Sequence, residues 1–297
     1  MSAVQTRVGS LTLVERKPRT FSSIVRQRFR SSYHAIAGAT ILGLVILMAL
    51  AAPVIAPHDP LAMSVPNQFQ PPSRQHWFGT DEFGRDILSR VIYGARISLR
   101  VGLLATMLAV GAGMLVGLVS GYFGGWVDGI SQRIIDVMLA FPGLLLALAI
   151  VAILGPGLQN VLIALGIGGI PYYARLMRGQ VLSISSGEYV EAARVVGAKD
   201  TRIMLRHIFP NTLSPLIIVA SLDLGFNILS AAALSFIGLG AQPPTPEWGA
   251  MLSAGRDFMR HQWWIATFPG LAIVVTVLGF NLLGDGLRDI LDPRGLE

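Results

Sequence analysis

The sequence contains no cysteine, which excludes disulfide frameworks, thiolate metal sites and cysteine nucleophiles. It is also poor in charge. Asp, Glu, Lys and Arg make up 13% of the 297 residues, about half of what a soluble domain carries. Lysine occurs only at Lys17 and Lys199, and no Gly-Lys dipeptide exists. A phosphate-cradling loop ending in Gly-Lys-Ser/Thr is therefore excluded, and with it nucleotide hydrolysis by that route. Gly-x-Ser-x-Gly, His-Glu-x-x-His and Gly-x-Gly-x-x-Gly are absent as well, which removes the common signatures of hydrolases, zinc proteases and dinucleotide binders. The five histidines, His34, His58, His76, His207 and His261, include no pair three or four residues apart. Without two ligands on one helix face, no metal site is expected.

What the chain has is apolar surface, with 53% of its residues in the hydrophobic set. A hydrocarbon core about 30 Å thick needs about 20 helical residues, and charge at its centre is costly. Uncharged runs cover Ala35 to Ala56, Val101 to Val127, Val137 to Ala174, Leu224 to Pro246 and His261 to Gly284. The third run is too long for one span and is cut by Gly155-Pro156-Gly157-Leu158-Gln159-Asn160, a turn cluster. The expectation is an all-α integral membrane protein with six transmembrane helices. With the N-terminus inside, sixteen Lys and Arg fall on the cytoplasmic side and seven on the other, so both termini are expected in the cytoplasm. The parts are a basic cytoplasmic tail (1–34), a transmembrane domain (35–290) and a short cytoplasmic C-terminus (291–297). Connections 57–96 and 241–264 lie outside and 181–211 inside. In the tail, Phe21, Ile24, Val25 and Phe29 recur at helical spacing among Arg26, Arg28 and Arg30, a pattern suited to an interfacial helix on anionic lipid as well as to a solvated basic tail.

Gly113, Gly117, Gly121 and Gly125 repeat every fourth residue, a smooth stripe where a second helix can approach closely. The 181–211 connection has Ser185 three residues before Glu188, a capping-box spacing. It continues through Glu191, Ala192, Ala193 and Arg194 to Gly197, which can take the left-handed conformation that ends a helix. Asp200 or Thr201 can cap a second short helix running to His207, with Pro210 restarting the chain. Two short helices, small on one face and basic on the other through Arg194, Lys199, Arg202 and Arg206, are shaped to dock into a partner. The same charges also serve as positive-inside anchors.

The stretch from Glu191 to Pro210 resembles the EAA loop of ABC-importer permeases: Glu-Ala-Ala, three residues, glycine, nine residues, one position usually aliphatic, one variable, and a closing hydrophobic-Pro pair. His207 stands where that family often has isoleucine and Phe209 where it has leucine. Three further stretches resemble the dipeptide, oligopeptide and nickel branch: Phe78 to Asp86 (FGTDEFGRD), Gly238 to Gly249 (GLGAQPPTPEWG) and Asn281 to Asp289 (NLLGDGLRD) continuing to Asp292-Pro293. The resemblance covers roughly residues 35 to 294 and points to the second of two permease subunits. It implies the type I importer permease fold and a non-enzymatic role in a bacterial inner membrane. It implies as partners a homologous second permease, two ATPases that use ATP and Mg, and an extracytoplasmic binding protein. No cofactor or nucleic acid is expected on this chain. Glu191, Ala192, Ala193, Arg194, Gly197, Lys199 and Asp200 would then couple ATPase closure to alternating access.

In the first outer connection, Asp81 with Arg85 and Asp86 with Arg90 are four-residue pairs able to support a helix, and Trp248, Trp263 and Trp264 are expected at the outer interface. Asp223 and Asn227 share one face of the fifth span and are candidates for the translocation path. A self-contained secondary transporter or intramembrane enzyme is the competing reading. It would need ionisable residues clustered in the spans, and Asp223 is the only acidic residue between His207 and Pro246.

Overall fold

Backbone amides in lipid must find partners within their own segment, and helices are the local way to do so. The computed structural model describes residues 27–291, and among these it has helices, turns and one isolated bridge between Thr80 and Asp86. Phe21, Ile24 and Val25 of the expected interfacial helix lie outside the described residues.

Helix α1 (Tyr33–Ile55) begins at Ser32, whose hydroxyl accepts from the Ala35 amide at 3.3 Å. Its buried residues, Ala35, Gly38, Leu42, Val45, Ala49 and Ala52, form one stripe, while Leu44, Leu47, Leu50 and Val54 are exposed. Being apolar on its open side too, α1 is suited to a lipid surrounding. Helix α2 (Ile87–Phe123) has 37 residues, about 55 Å at 1.5 Å per residue, and outruns the hydrocarbon core. α3 (Gly125–Leu139) and α4 (Gly143–Leu154) meet at a 90° bend. α5 (Leu158–Ser185) follows Gly155 and Gly157, whose φ values of +90° and +151° suit only glycine. The Asn160 side-chain amide donates to the Leu154 and Gly155 carbonyls at 3.0 Å each, so the turn expected there forms. After α6 (Glu188–Val195) and α7 (Asp200–Ile203), a π-turn (Met204–Ile208) leads straight into α8 (Phe209–Phe236), then α9 (Trp248–Gly255) and α10 (Trp264–Leu291).

Among the described residues, four helical stretches are long and apolar enough to cross a membrane: α1, α2, the run Asp200–Phe236 and α10; the bent α3–α4 pair passes the same test when taken as one broken span. α5 is 28 residues long but less apolar, because it carries Gln159, Asn160, Arg175, Arg178 and Gln180; its Val161, Ala164, Leu165, Tyr173, Ala174, Met177 and Val181 are buried among other helices. Several boundaries differ from those drawn by uncharged runs. α2 starts at Ile87 rather than Val101, because Arg90 is buried in protein and Arg96 and Arg100 lie on a helix that extends past the core. The fifth span is 209–236 rather than 224–246: Gly238 at φ +87° ends it, and lack of charge continues through the turn beyond. Pro210 does not restart the chain. It sits in the first turn of α8 behind the π-turn, whose wider ladder gives the amide of Phe209 the Met204 carbonyl and accommodates a residue with no N–H.

The glycine stripe packs. Methyl groups placed on Gly113, Gly117 and Gly121 would collide with Tyr173, Ala174 and Val181 of α5 respectively. Gly125 does not belong to it; with Gly124 it makes a left-handed turn, φ +56° and +62°. Gly38 of α1 and Gly286 of α10 bring the two terminal spans together in the same way, against Leu283 and Ala35. Gly117→Ala should lower the thermal midpoint of the detergent-solubilised complex, since overpacking against backbone costs about 1–3 kcal/mol. Gly111→Ala, with open space around it, should leave the midpoint unchanged or raise it by its helix propensity.

Candidate functional site

Three sites emerge. The first is the connection between α5 and α8. Here the amide of Gly197 (φ +85°) donates to the Arg194 carbonyl at 2.9 Å and that of Ala198 to the Ala193 carbonyl at 3.0 Å, the paired bonds of a Schellman stop. Val190 is fully buried with Tyr173, Met177, Val181, Ile203, Ile208 and Leu216. With Ala193 packed against the same cluster and the Tyr189 hydroxyl bonded to the His207 carbonyl and the Asn211 side-chain amide, it anchors α6 to the ends of α5 and α8. Glu191, Ala192, Arg194 and Lys199 face outward, and Val195 and Val196 are 83% and 87% exposed. The Asp200 carboxylate accepts from the Tyr122 hydroxyl at 2.6 Å, and Arg194 lies over the Tyr122 ring, so the loop is tied to the end of α2. The expected caps do not form. Ser185 closes α5 with its hydroxyl on the Leu182 carbonyl, and Gly187 starts α6 with no side-chain cap. Lys199 rather than Asp200 or Thr201 precedes α7. Two further arginines, Arg175 and Arg178, precede the connection. They lie in α5, where Arg175 pairs with Asp136 and Arg178 makes two 2.6 Å bonds to Asp128 of α3.

The second site is a cavity of about 410 Å³ between α3–α5 and α8, mostly apolar, reached by Asp223, Asn227, Ser230, Tyr172 and Tyr173. One carboxylate oxygen of Asp223 accepts from the Tyr173 hydroxyl at 3.0 Å and the Asn227 amide at 3.3 Å; that amide also donates to Thr106 at 2.9 Å. Asp223 and Asn227 thus share a face, as their spacing indicates, and the carboxylate finds a hydroxyl and an amide rather than an arginine.

The third is a crown of polar residues over one end of the bundle. Asp81, Arg85, Asp86 and Arg90 are all at most 5% exposed. They do not build the helix their spacing suggested. Asp81 closes a turn by accepting from the Phe83 and Arg85 amides at 2.9 Å and pairs with Arg85 at 2.7 Å. Arg90 turns to Asp81 and to the Pro60 carbonyl, while Asp86 caps α2 through the Ser89 amide at 2.8 Å. Trp248 and Trp264 are buried crown pegs, their indoles donating to the Val91 and Thr80 carbonyls at 2.9 and 3.1 Å; only Trp263 of the three is exposed. Glu247 caps α9 through the Gly249 and Ala250 amides at 3.0 and 2.9 Å. The crown also gathers His58, His76 and Asp86. A search for local ligand pairs along the sequence could not find a trio spread over 28 residues.

A bundle of apolar helices with a small exposed helix at one end and a mostly apolar, half-open cavity between its members has the build of a membrane transport permease. Residues 113–295 match the family described as binding-protein-dependent transport system inner membrane component, and residues 20–72 match the N-terminal transmembrane domain of oligopeptide transport permease C. The chain belongs to the first of these families. It is 51% identical over 260 residues to the dipeptide transport system permease protein DppC of Alkalihalophilus pseudofirmus, covering 88% of this chain and 86% of that one. It is 49% identical over 259 residues to the probable D,D-dipeptide transport system permease protein DdpC of Escherichia coli K12, covering 87% of each. With the glutathione transport system permease protein GsiD of Escherichia coli it shares 51% over 269 residues, 90% of this chain and 89% of that one. Among solved structures, the inward-facing MetNI methionine ABC transporter matches with a TM-score of 0.55 at 20% identity, over 69% of this chain and 97% of that one. This is a multi-pass inner-membrane subunit of a bacterial ABC importer, non-catalytic, working with ATPase subunits that use the nucleotide. Family membership removes the secondary-transporter and intramembrane-enzyme readings.

Within the crown, burial and then the neighbouring Asp81 push the Glu82 carboxyl above its usual range, against Arg85 and Arg90, and its Oε2 is buried without a partner. A carboxyl whose folded pKa exceeds its unfolded value leaves stability intact at low pH and removes it as pH rises through the raised value. Glu82→Gln should therefore raise the melting temperature of the complex at pH 8, with the gain shrinking as pH falls toward the ordinary glutamate range.

Proposed function

We propose that this chain is the second of two homologous permease subunits in an importer of dipeptides, oligopeptides or a related small solute such as glutathione. The names of its half-identical relatives support that substrate class. In this reading α5 completes a set of six spans and both termini lie in the cytoplasm. The basic residues counted on the two sides and the 28-residue length of α5 support it. Two ATPases bind the cytoplasmic side, and an extracytoplasmic binding protein delivers substrate over the crown.

The observation that carries the mechanism is the anchoring of α6. Its buried Val190 fixes it to the ends of α5 and α8, while Glu191, Ala192, Arg194, Val195 and Val196 face outward. A short helix held on one side by packing passes a displacement on rather than absorbing it. Glu191, Ala192, Ala193, Arg194, Gly197, Lys199 and Asp200 form this coupling element. When the ATPases close, α6 is pushed, α5 and α8 tilt with it, and the cavity between them changes the side to which it opens, a two-state equilibrium biased by ATP. Gly197 has open space around it but a left-handed backbone, so the strain of a side chain there is conformational, about 1–2 kcal/mol. Gly197→Val should reduce ATP-driven uptake in proteoliposomes while ATP hydrolysis continues. Gly197→Asn, which tolerates that conformation, should retain most uptake. Equal coupling in both variants would remove the helix stop from the mechanism.

Asp223 and Asn227 line the path. The Asp223 carboxylate in a mostly apolar cavity attracts the cationic amino end of a peptide, with Tyr173 and Asn227 holding it in place. Asp223→Asn keeps shape and acceptor but not charge. It should slow uptake of peptides with free amino ends relative to N-acetylated ones and leave assembly with the ATPases normal; uptake unchanged for both would exclude Asp223 as a substrate contact.

A further inference from the structure

The crown places three metal-ligating side chains together at the junction of α1, the following loop and α2. Asp86 divides its work between two oxygens. Oδ2 accepts from the Ser89 amide at 2.8 Å and the Ser89 hydroxyl at 2.7 Å, leaving Oδ1 to two imidazoles, with His76 Nδ1 at 2.9 Å and His58 Nδ1 at 3.6 Å. The ligand atoms of the three residues lie within 4.8 Å of one another. His76 is 5% exposed and Asp86 2%. The nitrogens His58 Nδ1 and His76 Nε2 are buried and lack a hydrogen-bond partner. A single imidazole on a carboxylate is an ordinary pair; here a second, partly exposed imidazole turns its buried Nδ1 to the same oxygen from 3.6 Å, too far for a hydrogen bond and at the spacing of two ligands about one ion.

We propose that His58, His76 and Asp86 form a binding site for a divalent transition-metal ion of the zinc type. Two imidazoles and a carboxylate are the ligand set such ions prefer. Metal–ligand bonds of about 2.0–2.1 Å in tetrahedral geometry put ligand atoms about 3.3 Å apart, and the 2.9 and 3.6 Å separations around Asp86 Oδ1 bracket that edge. The outer sphere is built too: Ser89 orients the carboxylate through its amide and hydroxyl, and its hydroxyl also accepts from the His58 amide at 3.0 Å. A groove of about 780 Å³ open to solvent is lined by His58 together with Asp59, Tyr93 and Arg96, so an ion would approach the trio from the His58 side. The ion clips the chain just past α1 to the first turn of α2 and pins the intervening loop through His76. Binding the folded crown and not the unfolded chain, it stabilises by mass action.

The test uses the purified permease–ATPase complex, stripped with a chelator, incubated with zinc chloride alone and desalted. Zinc per complex is measured by elemental analysis and the unfolding midpoint by thermal melting. The wild-type complex should hold one more zinc per copy of this chain than His58→Gln or His76→Gln complexes, and zinc should raise its midpoint by several degrees but not theirs. His207→Gln, at the opposite end of the bundle, should match the wild type. His76 is buried and its variant can fail to fold; His58 is partly exposed, so His58→Gln decides alone in that case. Equal zinc content in the wild type and His58→Gln overturns the site.

Discussion

In lipid, apolar side chains gain nothing by leaving one helix for another, so helices associate where their backbones can come close. The contact of α2 with α5 is the constraint on which the rest depends. Gly113, Gly117 and Gly121 lay the α2 backbone on Tyr173, Ala174 and Val181, and Tyr173 is thereby buried with its hydroxyl turned to Asp223 on α8. One stripe of missing side chains thus sets the position of α5, the position of α5 sets that of the polar group in the cavity, and the far end of α5 carries Val181 to Val190 and the docking helix. A side chain anywhere on the stripe would move all three.

The fold was legible where it followed composition. Apolar runs without charge announced membrane helices, the Gly155–Asn160 cluster announced the break between α4 and α5, and the glycine spacing announced the tight contact. Boundaries were not legible, because absence of charge marks what lipid tolerates rather than where a helix begins or ends. Arg90 sits inside a helix because protein, not lipid, surrounds it, and the uncharged stretch after Phe236 is a turn because Gly238 takes a left-handed φ.

The crown shows the same limit for side chains. Spacing of four residues suggested helical ion pairs, yet Asp81 and Arg85 face each other across a turn, and Asp86 leaves Arg90 for a helix cap and a histidine. Local spacing constrains partners only when the backbone conformation is known. The tryptophans make the point in reverse: interface preference is a tendency of residues whose N–H has no protein acceptor, and Trp248 and Trp264 have carbonyls of Val91 and Thr80 in reach. The end of α6 was legible because its signal is conformational, and only a residue tolerant of φ +85° ends the helix where Gly197 does.

Burying Asp81, Arg85, Asp86 and Arg90 is expensive, and ion pairs of this kind add little net stability over apolar packing. What they add is geometric definition. Several of these groups have directed partners on other segments: Arg90 on the carbonyls of Pro60 and Pro244, and Glu247 on Ser98 of α2, while Asp81 and Arg85 close their own turn. Apolar packing at the same place would allow sliding, whereas directed bonds hold α2 in one register against α9 and the loop after α1. At its other end α2 meets the coupling loop through Tyr122 and Asp200. A helix of about 55 Å is thus fixed by hydrogen bonds at one end and tied at the other, by one hydroxyl, to the connection between α5 and α8. Under the coupling role proposed for α6, a crown fixed in this way is what would turn a push on that helix into rotation within the membrane rather than a shift of the whole subunit.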